Sequence, residues 1–156
     1  MVFPQDTNRS PLEYSLIRSI NERFQAGIEY DYKEDQLHPV MVYRVIDATE
    51  SSPAIMLGTS SAWPSGDVDG NAVMLTAASM VGEDMSLTFG AAYILENEDW
   101  RTPASISYRI KDGLSASVMY DGDNLHPLMA IDRKGASFQL ILLGGEDPAI
   151  AVSLFE

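Results

Sequence analysis

The chain alternates apolar and polar residues with a period of two over most of its length. Phe24, Ala26, Ile28, Tyr30 and Tyr32 alternate with Gln25, Gly27, Glu29 and Asp31, and Leu87, Phe89, Ala91, Tyr93 and Leu95 with Ser86, Thr88, Gly90, Ala92 and Ile94. Residues 104–110 set Ser105, Ser107 and Arg109 on the second face, and Leu114, Ala116, Val118 and Tyr120 stand opposite Ser115, Ser117 and Met119. Side chains of a strand point to opposite faces in turn, so these runs predict strands. Helical spacing is weaker everywhere. Its best instance, Leu12, Leu16 and Ile20 within 11–23, aligns with 103–111 in an internal repeat and is therefore read as strand.

The repeat surrounds the two histidines. Phe24-Gln25-Ala26-Gly27-Ile28-Glu29-Tyr30-Asp31 aligns with Leu114-Ser115-Ala116-Ser117-Val118-Met119-Tyr120-Asp121, Asp35-Gln36-Leu37-His38-Pro39 with Asp123-Asn124-Leu125-His126-Pro127, and Ile55-Met56-Leu57-Gly58 with Ile141-Leu142-Leu143-Gly144. The offset changes only between these blocks, where loops are expected, as in duplicated hairpins spanning about 12–58 and 103–144. Short turns at 21–23, 50–53, 82–84, 111–113 and 133–135 alternate with longer acidic loops at 33–39, 63–71, 96–103, 121–127 and 144–148. Asp112-Gly113 and Lys134-Gly135 supply the positive φ of tight hairpins. The prediction is one all-β domain over 1–156. It is an antiparallel up-and-down meander of about 11–12 short strands, closed into a barrel because no helix is available to cover its edges.

Lipid and water both produce period-two alternation, with opposite faces buried. Three features favour lipid. The less apolar face is rich in small residues, with sparse charges at Arg18, Glu29, Arg44 and Arg109 that would line a narrow lumen. Aromatics Tyr30, Tyr32, Trp63, Tyr93, Trp100 and Tyr120 gather where strands meet long loops, as an interfacial girdle does. Turn lengths also alternate between the two ends. The hairpins Glu22 to Tyr30 and Tyr108 to Gly122 resemble the repeated hairpins of bacterial outer-membrane β-barrels of the exopolysaccharide-associated kind. That resemblance implies a non-enzymatic barrel in the outer membrane, a passive pore or a structural surface protein, with the lipid bilayer as partner. The alternative is a soluble barrel or sandwich that binds a ligand or self-assembles, with the apolar face as its core. At about thirteen residues per strand and turn, the strands fall near the lower limit of the roughly 9–11 residues that cross a bilayer.

Charge and composition narrow the chemistry. A net charge of −13, with 23 acids against 10 bases and no basic cluster, argues against nucleic acid. The chain has no cysteine, hence no disulfide or thiol chemistry, and its start lacks the basic and apolar runs of a signal peptide, so an exported protein would be represented in mature form. Asp35 and His38, and again Asp123 and His126, are three residues apart. That spacing suits an acid–base pair in a minor enzymatic alternative, but Asp and Asn in turns also cap backbone amides. Asp67-Val68-Asp69-Gly70-Asn71 and Asp121-Gly122-Asp123-Asn124 faintly resemble calcium loops yet lack the distal Glu. No nucleophile elbow, phosphate loop or zinc spacing is present, so no catalytic residue, metal ligand or cofactor is expected, and the ligand and any homo-oligomer stay open.

Overall fold

The alternating runs form one antiparallel sheet in a computed structural model, which describes residues 13–31, 35–49, 51–61 and 71–154. Twelve strands follow in order: β1 (Glu13–Ser19), β2 (Phe24–Asp31), β3 (Gln36–Ile46), β4 (Ala54–Ser60), β5 (Ala72–Val81), β6 (Met85–Ile94), β7 (Asp99–Arg101), β8 (Ala104–Lys111), β9 (Leu114–Tyr120), β10 (Leu125–Arg133), β11 (Ala136–Leu143) and β12 (Asp147–Leu154). Each pairs with its sequence neighbours, except that β7 and β8 lie end to end along β6. Pro103 separates them because it has no N–H for the ladder, while its carbonyl accepts from Gly90 N at 2.8 Å. The sheet is thus eleven ladder positions wide, as the alternation predicts. Tyr32, Trp63, residues 67–70 of the first calcium-like loop and residues 1–12 lie outside the described residues.

Closure does not follow. The order runs linearly from β1 to β12, and among the described residues those two strands are not paired. The expected barrel is an open sheet here. Its ladder is continuous, and among the described residues no strand pairs with the outer edge of β1 or of β12.

The turns obey their residues. Gly113 (φ 71°) and Gly135 (φ 80°) adopt the left-handed conformation that closes tight hairpins after Asp112 and Lys134. Pro39 and Pro127 lie inside β3 and β10, opposite Ile28 and Val118. On the far side of Pro39 the ladder to β4 starts only at Met41, and side chains fill the gap: Asn71 Nδ2 and Thr59 Oγ1 donate to the Pro39 carbonyl at 2.8 and 3.1 Å.

The two halves of the repeat have corresponding registers. His38 stands opposite Glu29 on β2, and His126 opposite Met119 on β9, the residue that aligns with Glu29. β3 and β10 hold the third and ninth ladder positions, so they run the same way and their histidines lie at the same end of the sheet. Both histidines are on strands rather than at loop tips.

Close packing of β1 on β2 depends on Gly27, where a Cβ would land on the Leu16 carbonyl oxygen and within 2.8 Å of Ile17 Cα. Gly27→Ala is expected to destabilise the protein by about 1–3 kcal/mol, the usual cost of overpacking, and to unprotect the amides of β1 first. Hydrogen exchange resolved by strand checks this; unchanged β1 protection would show that the backbone there yields freely.

Candidate functional site

Directly opposed residues in an antiparallel ladder share a face, which sorts the sheet into two chemically different sides. One side, here the outer face, carries Leu16, Ile28, Met41, Leu57, Leu75, Phe89, Ile106, Val118, Met129, Leu140 and Ile150, a large apolar residue from every ladder position. All of them are exposed, Phe89 by 65% and Ile106 by 42%. The inner face carries Gly27, Gly58, Thr76, Ala92, Gly90, Ser105, Ser107, Ser115, Ser117, Ala130 and Ser137. The buried residues belong mostly to this face and gather at the end with the longer loops: Val40, Ala72, Ala92, Ile94, Leu143 and Ala149, with Glu29 and both histidines.

Aromatics frame the outer face at both ends. At the loop end stand Tyr30, Tyr93, Trp100 and Tyr120; at the short-turn end stand Phe24, Tyr43 and Tyr108. Tyr93 and Trp100 pack with ring centroids 5.1 Å apart. Tyr30 and Tyr120, equivalent in the repeat, each tether their own loop: Tyr30 donates to Asp35 Oδ1 at 2.7 Å and Tyr120 to the Gly122 carbonyl at 2.8 Å. Tyr30, Tyr93, Trp100 and Tyr120 are the described members of the aromatic group expected where strands meet long loops; Tyr43 and Tyr108 keep the same period at the other end.

Two polar nodes sit under the loops. Glu29, 8% exposed, reaches from β2 across β3 to the end of β4, where its carboxylate accepts from Ser60 Oγ, Ser61 N and Ser61 Oγ, the last two at 2.7 Å. A side chain spanning two strand spacings requires the sheet to curl toward its inner face. The second node is sealed. Asp121 and His126 are each 1% exposed. Asp121 Oδ1 accepts from the amides of Asp123 and Asn124, and its Oδ2 lies 2.8 Å from His126 Nε2. His126 Nδ1 accepts from Gly144 N at 3.0 Å, which leaves the imidazole proton on Nε2, directed at the carboxylate. One imidazole therefore joins the loop before β10 to the loop after β11.

The expected pairs are rearranged. His126 takes Asp121, five residues before it, rather than Asp123, which is exposed and accepts from Asn124 Nδ2. Asp35 (φ 53°) is exposed and engaged by Tyr30, while His38 is buried. The repeated Tyr-Asp step was the signal that marks Asp121 as the partner. Of the lumen candidates, only Glu29 is buried on the inner face. Arg18 stands opposite Ala26, on the outer face with Leu16. Arg44 and Arg109 each precede a register shift near the short turns and bind them: Arg44 Nη1 lies 3.5 Å from Asp47 Oδ1, and Arg109 Nε 2.9 Å from Asp84 Oδ1, with Nη2 on the Glu83 carbonyl. They form a rim, not a central charged cluster. Among the described residues no three of His, Asp and Glu are grouped to hold a metal ion.

No family model matches the sequence, and no curated protein or solved structure matches it significantly.

Because Asp121 satisfies two amides and an imidazole at once, Asp121→Ala is expected to cost about 2–4 kcal/mol, since buried donors are left unpaired. Asp123→Ala should change stability by less than about 0.5 kcal/mol. Denaturant unfolding of the two variants decides between the spacing of three and the spacing of five; equal losses would count against the buried node.

Proposed function

We propose that this chain is a non-enzymatic, membrane-embedded β-structure of the bacterial outer-membrane type, with its outer face against lipid and its sheet closed when embedded. One observation carries this: a one-layer sheet exposes a large apolar residue at all eleven ladder positions on the same face. Monomeric proteins in water rarely expose contiguous apolar patches above a few hundred Å². The whole chain exposes 10222 Å², against roughly 7,800 Å² expected for a globule of this mass.

The dimensions support the same conclusion. Tyr93 and Met85, the latter opposite Tyr108, stand eight residues apart on β6. At roughly 3.3 Å per residue, the aromatic belts are separated by about 26 Å of strand, close to the apolar band of about 25 Å on such barrels. Tilt shortens the projection, and most strands have 7 to 11 residues, so the belt suits a thin bilayer. Seven of the ten bases, Arg18, Arg23, Arg44, Arg109, Lys111, Arg133 and Lys134, lie toward the short-turn end; of these, Arg18 stands on the outer face opposite Ala26, at the margin of the apolar band. Burial of the inner face at the loop end favours a structural surface protein over an open pore.

A soluble alternative draws on the lack of any second layer over the outer face. Two copies stacked through these faces would make a sandwich about 10 Å thick at its core, with self-assembly in place of lipid.

Phe89→Asp and Ile106→Asp distinguish the two from a merely exposed surface. In a bilayer each should cost about 2–4 kcal/mol near the midplane and suppress folding into detergent micelles or vesicles, measured by heat-modifiable gel migration. Wild-type protein that stays monodisperse without detergent, with both substitutions changing stability by less than about 0.5 kcal/mol, would remove the membrane proposal.

A further inference from the structure

We infer that the sheet closes through a parallel seam between β1 and β12 of the same chain. The inference rests on the membrane embedding proposed above and adds what it requires at the edges. In hydrocarbon there is no water to satisfy the outer N–H and C=O groups of an edge strand, so a spanning sheet pairs both of its edges. The path from β1 to β12 has eleven positions, every neighbouring pair antiparallel. Its first and last strands therefore run in the same direction. If they meet, they meet in parallel, and the odd count among the described residues makes this the one ladder there that is not antiparallel.

Three features of the edges fit such a join. The middle of each edge lacks the usual protection: Ser15 to Ile17 in β1 and Ala149 to Val152 in β12 include no charge, while Glu13 and Arg18 stand toward the ends of β1 and Asp147 and Pro148 at the loop end of β12. The faces also match. Leu16 continues the outer apolar band of Ile150 and Val152, all exposed. At mid-strand on the inner side, β1 presents Ile17, opposite Gly27, while β12 presents Ala149 and Ala151, so one large side chain meets two small ones. The curl needed has the right sense, because Glu29 already bridges β2 to β4 across the inner face. A second copy offers no better pairing and is the alternative that the test below separates. In the same membrane orientation its edge strands would also run parallel to these, and antiparallel pairing would demand that it be inverted, with its loops on the opposite side of the bilayer.

The absence of native cysteine allows a direct test. Leu16→Cys is combined in turn with Pro148→Cys, Ile150→Cys or Val152→Cys, and the protein, folded in detergent or vesicles, is oxidised and mapped by peptide mass spectrometry. Leu16→Cys with Met129→Cys, in the middle of the sheet, is the control. The seam predicts an intrachain disulfide in at least one of the three edge pairs and none in the control. Insertion is scored separately by heat-modifiable migration. Inserted protein with no edge disulfide, or with interchain disulfides only, overturns the seam and leaves the membrane proposal standing; protein that never inserts removes both. Amide exchange on the unsubstituted chain is an independent readout: β1 and β12 should be protected within about tenfold of the interior strand β9, and edge exchange at the rate of an unpaired strand refutes the seam.

Discussion

The difference in side-chain size between the two faces is the constraint on which the rest of the fold depends. Every ladder position places a Leu, Ile, Val, Met or Phe on the outer side, while Gly, Ala, Ser and Thr dominate the inner. A sheet with bulk on one side and little on the other curls toward the small side, and β-strand twist adds to that curl. The glycines show how tight the inner approach is. A Cβ at Gly90 would come within 2.8 Å of the Leu75 carbonyl oxygen, and one at Gly58 within 2.8 Å of the Met41 carbonyl oxygen. These contacts involve neighbouring backbone, so no rotamer change relieves them. Curvature is thus written into residue volume rather than into a hydrophobic core in the ordinary sense, and the cluster of buried apolar residues is correspondingly small: Ala72, Ala92 and Ile94, with Met74 against them.

The polar nodes follow from that geometry. Once the sheet curls, the loop end of the inner face is withdrawn from water, and any charged group there needs partners. Glu29 finds a backbone amide and two serine hydroxyls, and Asp121 finds two amides and an imidazole. Both satisfy a buried carboxylate mainly with fixed donors on a neighbouring loop, which ties the loops to the strands. His126 has both ring nitrogens occupied and is shielded from solvent. A group so placed has no open position from which to exchange a proton with a substrate, so its contribution is to hold two loops in register.

The architecture was legible because it is local. Period-two alternation at Phe24 to Tyr32 and Leu87 to Leu95, and Gly113 and Gly135 after their turns, specify strand and hairpin without knowledge of anything distant. The site was less legible because it is not local. Asp121 lies at the end of a strand, and its pairing with His126 depends on how the β9 to β10 loop folds back, which a spacing of three residues does not encode. Gly144 enters through a backbone N–H that has no signature in sequence. Arg18 changed face for a comparable reason: parity within β1 is set by its pairing, Leu16 with Ile28, and a one-residue shift would have put it inside. Strand alternation also says nothing of whether the two edges, β1 and β12, will meet, so closure could be expected but not read.

Exposure of the outer face is the observation from which the proposed environment is argued. The large outer residues cannot simply exchange faces with the small inner ones, because Gly27, Gly58 and Gly90 leave no room for a side chain at their positions. Nor can the sheet invert its curvature, since the Glu29 and His126 nodes depend on the present sense. The apolar side is consequently fixed outward, and its stabilisation must come from outside the chain, at roughly 25 cal/mol for each Å² of apolar surface removed from water. The proposed bilayer would supply this along the whole outer face at once and would tolerate variation in side-chain shape, as a mixture of Phe, Met, Leu and β-branched residues requires. A stacked partner sheet would need complementary relief at every position. Aromatic residues at both ends of the same face, with most of the bases collected near one of them, would suit the layered environment proposed above, whose polarity changes across the strand length, and a uniform partner surface gives no reason for that order.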